Sequence, residues 1–304
     1  MMEILLKQPY SFSQKGHRPN QEDARFPDVD EPQGVKPVFV VCDGVGGQDR
    51  GEVASRTVAD AMGVYMANVD LSLPFTSVDF SRVLDYAYRQ LDVQMSCFSR
   101  EMATTMTFVC FHGGGVFCAH IGDSRIYHVR PSVGILYQSE DHSLINALVH
   151  SGILTPEEAI NHPQGNVITR CLGYVDRGEE RSSATAYQIE DIEPGDYFFL
   201  CTDGVFHRLN DAGLLAILSS DVPDKEKMDK IARKSRDSSD NNTAYLIGIE
   251  GVVREGKENG QPEEEEETNV TVCLNANLQM VEEVAPSAES DGWTFSRFLK
   301  RIFK

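Results

Sequence analysis

Two strongly apolar segments of the chain each run into an Asp-Gly dipeptide, and these paired junctions constrain the fold more than any other feature. Residues 38–42 lead to Asp43-Gly44, and residues 197–201 lead to Asp203-Gly204. Continuous apolar runs of about four to eight residues are typical of strands buried on both faces. A glycine beside the acid lets the backbone approach a ligand closely. A single Asp-Gly is usually a turn, but two at the ends of buried strands predict a polar site on a rigid base.

Two further acidic segments lie beside predicted strands. The segment from Arg18 to Asp23 contains Glu22 and follows an N-terminal strand, and Asp240-Asn241 precedes the last long apolar segment. Two carboxylates about 4 Å apart repel by about 4 kcal/mol at an effective dielectric constant of 20. A fold that gathers three or four of them must protonate them or supply cations. Oxygen ligands favour Mg²⁺ or Mn²⁺ over zinc.

The order of the apolar segments predicts a layered α+β domain. Helices with one apolar face are expected over residues 51–66 and 77–98. A third helix should begin after Thr155, whose side chain can cap it together with Glu158. Strands are expected at residues 38–41, 105–111, 116–121, 197–200 and 244–249.

Charge and cysteine content exclude several classes of protein. The net charge of −19 argues against nonspecific nucleic-acid binding, which needs clustered Lys and Arg. No stretch of about 18 apolar residues occurs, so no membrane-spanning helix is expected, and the first residues lack the pattern of a signal peptide. The seven cysteines contain no Cys-x-x-Cys pair, which gives no zinc site and fits a reducing compartment. A cytoplasmic protein is therefore predicted.

Composition divides the chain into three parts. Residues 1–252 read as one globular domain, and residues 253–268 read as an acidic linker. Residues 269–304 form a C-terminal extension, with a strand expected at residues 270–278. Residues 293–304 place apolar side chains opposite basic ones, which suits contact with an anionic membrane surface or a partner. The alternative, a short docked or frayed tail, is the one we prefer.

Taken in order, the motifs resemble those of the metal-dependent serine/threonine protein phosphatases (type 2C, the PPM family), and the bacterial branch most closely. They span about residues 10–250. The matching stretches are residues 16–24, 38–55, 103–107, 122–125, 141–143, 166–173, 200–205 and 239–243. The resemblance implies a four-layer α-β-β-α sandwich, with two central antiparallel sheets flanked by helices. It also implies a flap at residues 143–170 beside the catalytic cleft.

The resemblance implies two divalent cations, Mg²⁺ or Mn²⁺, in the active site. Asp43 would bridge both cations. Glu22 and the Gly44 carbonyl would complete one position, and Asp203 with Asp240 the other. A water between the two cations would attack the phosphorus atom, as two-metal sites allow.

Further residues have implied roles around these ligands. Asp123 would help Asp203 to bind a third, weaker cation. Asp23 would lie outside the ligands and hydrogen-bond the waters bound to the cations. Asn241 would also lie outside the ligands. Arg18 would grip the substrate phosphate as a fork. The residues expected to carry catalysis are Arg18, Asp43 and Asp203.

The implied activity is hydrolysis of phosphoserine and phosphothreonine in proteins, by a monomer that acts against a cognate serine/threonine kinase. One departure from the family concerns the proton donor. Animal members have a histidine just after the Asp-Gly, where this chain has Val45, and His17 is a candidate replacement. Two alternatives stay open: a pseudophosphatase that binds phosphoproteins without turnover, and a two-metal phosphohydrolase that acts on nucleotides or small phosphoesters.

Overall fold

The computed structural model of the chain describes residues 1–45, 50–98, 101–160, 162–173, 180–254 and 278–284. The strands are β1 (Met2–Leu6), β2 (Tyr10–Gln14), β3 (Asp23–Phe26), β4 (Val38–Asp43), β5 (Ala103–Thr104), β6 (Met106–His112), β7 (Gly115–Ile121), β8 (Arg125–Arg130), β9 (Gly134–Gln138), β10 (Leu172–Gly173), β11 (Ala184–Ile189), β12 (Tyr197–Cys201), β13 (Asn242–Arg254) and β14 (Leu278–Val284). The helices are α1 (Gly51–Met66), α2 (Ser77–Phe98), α3 (Leu144–His150), α4 (Pro156–Ala159), α5 (Asp211–Leu218) and α6 (Asp224–Ser235).

Two six-stranded antiparallel sheets form the centre of the fold. The first has the order β1-β13-β12-β8-β9, and β2 also pairs with β13. The second has the order β14-β11-β7-β6-β4-β3. A small two-stranded sheet joins β10 to β5. The two central antiparallel sheets predicted from the sequence are confirmed.

Three apolar layers explain why the central strands carry continuous apolar runs. Neighbouring residues of a strand point to opposite faces of the sheet. Phe198 of β12 therefore packs between the two sheets, while Phe199 packs among residues of α5 and α6 on the outer face. In the second sheet, Phe39 faces the space between the sheets, and Val40 packs among residues of α1 and α2. The order of layers is helix, sheet, sheet, helix, as predicted.

The layer between the sheets is apolar along most of its length and becomes polar at one end. Phe39 and Val41 of β4 belong to this apolar layer, and the alternation of β4 places Asp43 next on the same face. In β12, Phe198 and Leu200 are in the layer, and Thr202 follows. Both strands end at the polar end of this layer. The polar end of the core is therefore built from residues that continue the apolar alternation.

The predicted flap, residues 143–170, is closed at its base by backbone hydrogen bonds. The Leu144 N–H donates to the Val167 carbonyl at 2.8 Å, and the Thr169 N–H donates to the His142 carbonyl at 2.7 Å. The flap contains α3 and α4. The capping box predicted for α4 is present: Thr155 Oγ1 accepts from the Glu158 N–H, and Glu158 Oε2 accepts from the Thr155 N–H.

Part of the predicted C-terminal extension can be compared with the structure. β14 begins at Leu278, where the strand expected at residues 270–278 ends, and it pairs with β11 as the edge strand of the second sheet. Residues 255–277, which include most of the acidic linker, and the tail at residues 293–304 lie outside the described residues. The domain boundaries stay predictions. Among the described residues, no helix is long and apolar enough to cross a membrane.

Candidate metal centre and active site

Asp23 and Asp43 are brought face to face by the register of two strands. β3 and β4 are antiparallel, and Asp23 lies opposite Asp43. The Asp43 backbone is held by Thr105: the Asp43 N–H donates to Thr105 Oγ1 at 3.0 Å, and the Thr105 N–H donates to the Asp43 carbonyl at 2.8 Å. Asp23 is only 5% exposed, and its Oδ2 accepts the Thr202 hydroxyl proton at 3.0 Å. This contact joins the two sheets at their polar end.

Asp203 lies in a short 3-10 turn, residues Asp203–Val205, directly after β12. The backbone of this turn runs very close to the strand that follows Asp240. A Cβ atom on Gly204 would lie 1.9 Å from the Asn241 carbonyl oxygen. A side chain cannot be accommodated there, which explains the glycine after this aspartate. The same approach brings Asp203 towards Asp240.

Asn241 ties the acidic segment near the N-terminus to the segment that carries Asp240. Its Oδ1 accepts from the Glu22 N–H at 2.8 Å, and its Nδ2 donates to the carbonyls of Lys15 and Asn20 at 2.7 and 2.8 Å. The Asn241 N–H donates to Asp240 Oδ1 at 2.8 Å. One amide side chain thus fixes Glu22 beside Asp240.

Gly44 is packed too tightly for any other residue. Its N–H donates to the Glu22 carbonyl at 3.1 Å, and an added Cβ would lie 2.5 Å from Gly51 backbone atoms at the start of α1. Ser55 of α1 also donates its hydroxyl to the Glu22 carbonyl. The backbone of Glu22 is therefore held from both sides.

Asp123 joins this group from the turn between β7 and β8. Gly122 before it has φ +101°, and the Gly122 N–H donates to His142 Nδ1 at 3.1 Å. Ser124 after it bonds Thr105 Oγ1 through its hydroxyl at 2.8 Å. Asp123 is thereby connected on one side to the base of the flap and on the other to the residue that holds Asp43.

Burial and mutual repulsion raise the pKa values of these carboxyl groups. Burial raises the pKa of Asp23 to about 8, with a further contribution from the charges of Asp203 and Asp240. Burial likewise raises the pKa of Asp123 to about 7, with Asp203 contributing. The pKa of Asp43 lies well above its usual value because of burial and then the charges of Asp23 and Asp203. Burial also raises the pKa of Asp203.

Arg18 lies at the rim of this acidic group. Its Nη2 donates to Asp240 Oδ2 at 2.6 Å, and its side chain is 47% exposed. The hydrogen bond to Asp240 raises the pKa of Arg18, and the charges of Glu22 and Asp43 act in the same direction. The guanidinium group is therefore accessible to solvent and bonded to Asp240, and it also interacts with the charges of Glu22 and Asp43.

The sequence of this chain matches a known family over most of its length. Residues 14–238 match the profile of the family described as protein phosphatase 2C. The chain belongs to the protein phosphatase 2C family. It is 31% identical over 225 residues to protein phosphatase PhpP of Streptococcus pneumoniae, a match that covers 70% of this chain and 85% of that protein.

Solved structures of serine/threonine phosphatases are similar to this chain in sequence and fold. The serine/threonine phosphatase Stp1 from Staphylococcus aureus is 28% identical, with a TM-score of 0.68 over 81% of this chain and 96% of that one. The catalytic domain of the serine/threonine protein phosphatase PstP, solved with two manganese ions, is 25% identical, with a TM-score of 0.64 over 82% of this chain and 100% of that one. This chain is accordingly a metal-dependent protein serine/threonine phosphatase.

The donor set of this protein phosphatase 2C chain suits hard divalent cations in its chemistry. Buried oxygens of Asp23 and Asp203, Oδ1 in each, have no hydrogen-bond partner, which is a costly condition for a buried carboxyl group. Within the described residues, no group of three His, Cys, Asp or Glu side chains is placed so that it could hold a metal ion. In this arrangement Asp240 Oδ2 is bonded to Arg18, so a cation would have to take the place of the guanidinium group.

The structure places Asp123, Asp203 and Asp240 close enough to Asp43 for their charges to add to the effect of burial on its pKa, and it places Glu22 close to Arg18 and Asp240. It does not group three of these side chains around one point among the described residues. The candidate proton donor His17 is exposed, and its N–H donates to the Ser238 carbonyl at 3.1 Å. Sequence reasoning missed His207, whose Nε2 lies 3.9 Å from Asp203 Oδ2. Its spacing of four residues after Asp203, in a segment that turns, is the signal that could have found it.

Proposed function

We propose that the acids at the polar end of the core bind a pair of divalent cations, at which phosphoserine and phosphothreonine in proteins are hydrolysed. The observation that carries this assignment is the set of buried carboxyl groups with raised pKa values, two of them with an unpaired oxygen. The proposed ligands are Glu22, the Gly44 carbonyl, Asp43, Asp203 and Asp240, with Asp123 and Asp203 for a third, weaker cation.

When bound, such a pair of cations supplies a water of lowered pKa and neutralises charge on the phosphate. The protein's own groups orient the reactants. Asp23 Oδ2 is fixed by the Thr202 hydroxyl, which leaves Oδ1 to accept a hydrogen bond from water. Asn241 accepts the Glu22 N–H at its Oδ1 and donates its own backbone N–H to Asp240 Oδ1, which keeps both acids in place.

Arg18 is the proposed binding group for the substrate phosphate. A guanidinium group can donate two parallel hydrogen bonds to phosphate oxygens. Its half-exposed position at the rim suits a phosphate carried on a protein surface. The bond to Asp240 would be exchanged for bonds to the phosphate, which also releases Asp240 for its role as a ligand.

The decisive experiment measures phosphate release from a phosphothreonine peptide, with Mn²⁺ or Mg²⁺ and with EDTA. We expect release that depends on the cation and that falls by at least about 100-fold in Asp43→Asn, because loss of even an outer partner of a metal ligand costs about 10–100-fold. Asp221→Asn, which changes an exposed aspartate, is the matched control. Peptide binding without release would support a pseudophosphatase, and faster release from nucleotides would support a small-molecule phosphohydrolase.

Other aspects of the function rest on the sequence and the chemistry. A phosphatase of this specificity requires a serine/threonine kinase that supplies its substrates, and a role in signalling follows from such a pair. Mg²⁺ and Mn²⁺ are both proposed as the cation, and the relative PstP has been solved with two manganese ions. The cytoplasmic location and the monomeric state stay predictions, as does contact of residues 293–304 with a membrane surface or a partner.

A further inference from the structure

Basic side chains are concentrated around the segment that carries Asp240, although the net charge of the chain is −19. They come from three segments, residues 15–18, 207–208 and 233–240. These segments together contain six Lys or Arg residues and two acidic residues, Asp237 and Asp240. The six, which we call the basic surface, are all exposed: Lys15, Arg18, Arg208, Arg233, Lys234 and Arg236.

Hydrogen bonds to Ser238 bring the three segments together. The His17 N–H donates to the Ser238 carbonyl at 3.1 Å, and His207 Nδ1 lies 3.2 Å from Ser238 Oγ. The end of α6 is joined to the same serine, because the Ser238 N–H donates to the Ser235 carbonyl at 2.9 Å. Ser238 is fully buried, so the backbone that carries the basic surface is held at a packed contact.

Two arginines of the basic surface contact opposite ends of residues 237–240. Arg18 Nη2 donates to Asp240 Oδ2 at 2.6 Å, and Arg208 Nε donates to the Asp237 carbonyl at 3.2 Å. The bond of Arg208 uses Nε, and among the described residues its two terminal nitrogens have no hydrogen-bond partner. Asp237 and Asp240 are three positions apart in the sequence, so their Cα atoms are separated by at most about 11 Å. Arg208 is therefore within a few residues' reach of the proposed phosphate-binding group.

We propose that Arg208, as part of the basic surface, binds acidic residues that lie within about three positions of the phosphorylated residue in the substrate. The inference rests on the proposed function, in which Arg18 holds the phosphate. An extended peptide spans at most about 3.6 Å per residue, so a carboxylate two or three residues away can reach Arg208. A guanidinium group can bind a carboxylate through two parallel hydrogen bonds. The net charge of −19 would by itself disfavour acidic peptides, so a preference for them requires a local basic surface.

The test uses the full chain with Mn²⁺ and compares three phosphothreonine peptides. One carries aspartates two and three residues before the phosphothreonine, one carries them two and three residues after it, and one carries alanines at all four positions. For the wild type at low salt, kcat/KM should be about two- to fivefold higher for at least one acidic peptide than for the alanine peptide. The gain should come from a lower KM at constant kcat, because Arg208 does not touch the reacting atoms. It should shrink in about 0.5 M NaCl, which screens exposed charges, and this measurement needs no variant to fold.

Variants assign the preference to Arg208. Arg208→Ala should bring the ratio of the two kcat/KM values close to one, and Arg208→Glu should favour a peptide with lysines in place of the aspartates. Arg82→Ala is the matched control, since Arg82 is an exposed arginine of α2, and it should keep the wild-type preference. Equal kcat/KM for the acidic and alanine peptides, or a preference that persists in Arg208→Ala, would overturn the role of Arg208 and leave the phosphatase standing. A wild type that releases no phosphate from any of the peptides would instead overturn the proposed function.

Discussion

Replacing Asp23 by Asn should change how the stability of the metal-free protein depends on pH. Asp23 is 5% exposed and lies opposite Asp43 in the sheet. Burial, with the charges of Asp203 and Asp240, raises its pKa to about 8. In the unfolded chain an aspartate has a pKa of about 3.9. At pH 7 the folded protein therefore holds a proton that the unfolded chain has lost.

The size of the effect follows from proton linkage. Between pH 5 and pH 7 the folded state binds about one proton more than the unfolded state at this residue, so the free energy of unfolding falls by about 1.4 kcal/mol per pH unit. Over two units the contribution of Asp23 is about 2.7 kcal/mol. The sign is that of a raised carboxyl pKa: the stability is present at acid pH and is lost as the pH rises towards 8.

Buried histidines act in the opposite direction and must be cancelled. Burial lowers the pKa of His112 to about 4 and that of His142 to about 2, so their contribution to stability falls as the pH drops below about 6.5. Both are present in the wild type and in Asp23→Asn, so their contribution disappears from the difference between the two proteins.

The assay is urea unfolding in EDTA at pH 5, 6 and 7 for the wild type, Asp23→Asn and the exposed-site control Asp221→Asn. The stability of the wild type relative to Asp23→Asn should fall by about 2.7 kcal/mol from pH 5 to pH 7. Relative to Asp221→Asn it should stay constant. If the difference between the wild type and Asp23→Asn does not vary with pH, Asp23 is ionised in the folded protein and the reasoning is refuted.

Three further perturbations test other parts of the structure. Arg18→Lys removes the guanidinium group that can donate two parallel hydrogen bonds to phosphate, and it should lower kcat/KM for a phosphopeptide by about tenfold or more. Unchanged kinetics would exclude Arg18 as the phosphate-binding group. Lys36→Met removes the ammonium group that caps α1 through the Met66 and Ala67 carbonyls and should cost about 1–3 kcal/mol in urea unfolding; no loss would contradict the cap. Deleting residues 285–304 should leave turnover of a small phosphoester unchanged, whereas deleting residues 255–304 should lower Tm because β11 loses its partner β14; equal Tm values would show that β14 adds no stability.

The positions of the acids at strand ends could be predicted from the sequence because local rules determine them. The strand before Asp43 is apolar on both faces since it lies between two packed layers, and this leaves a clear signal. The cap at Thr155 also depends on neighbouring residues alone. The fold class then followed from the order of such segments together with the family resemblance.

Contacts between distant segments could not be predicted in the same way. Arg18 and Asp240 are 222 positions apart, and their ion pair depends on how both loops lie on the finished sheets. The same holds for Asn241, whose side chain reaches the carbonyls of Lys15 and Asn20. His207 is close to Asp203 in sequence, but its orientation depends on Ser238 and Ser239. Periodicity carries no information about such partners.

The acidic site is stable enough to form because the apolar core determines the register of the strands that carry it. Ala24 and Cys42 are neighbours of Asp23 and Asp43 and face the α1 layer, so the alternation of the two strands turns both carboxyl groups towards the other sheet. A register slip of one residue would expose the apolar side chains of these strands. Repulsion between the carboxyl groups does not offset the free-energy cost of that exposure. The fold therefore holds the carboxyl groups together in the absence of metal, with raised pKa values as the consequence. Under the proposed function, a cation would displace protons from these acids and the Arg18 guanidinium group from Asp240.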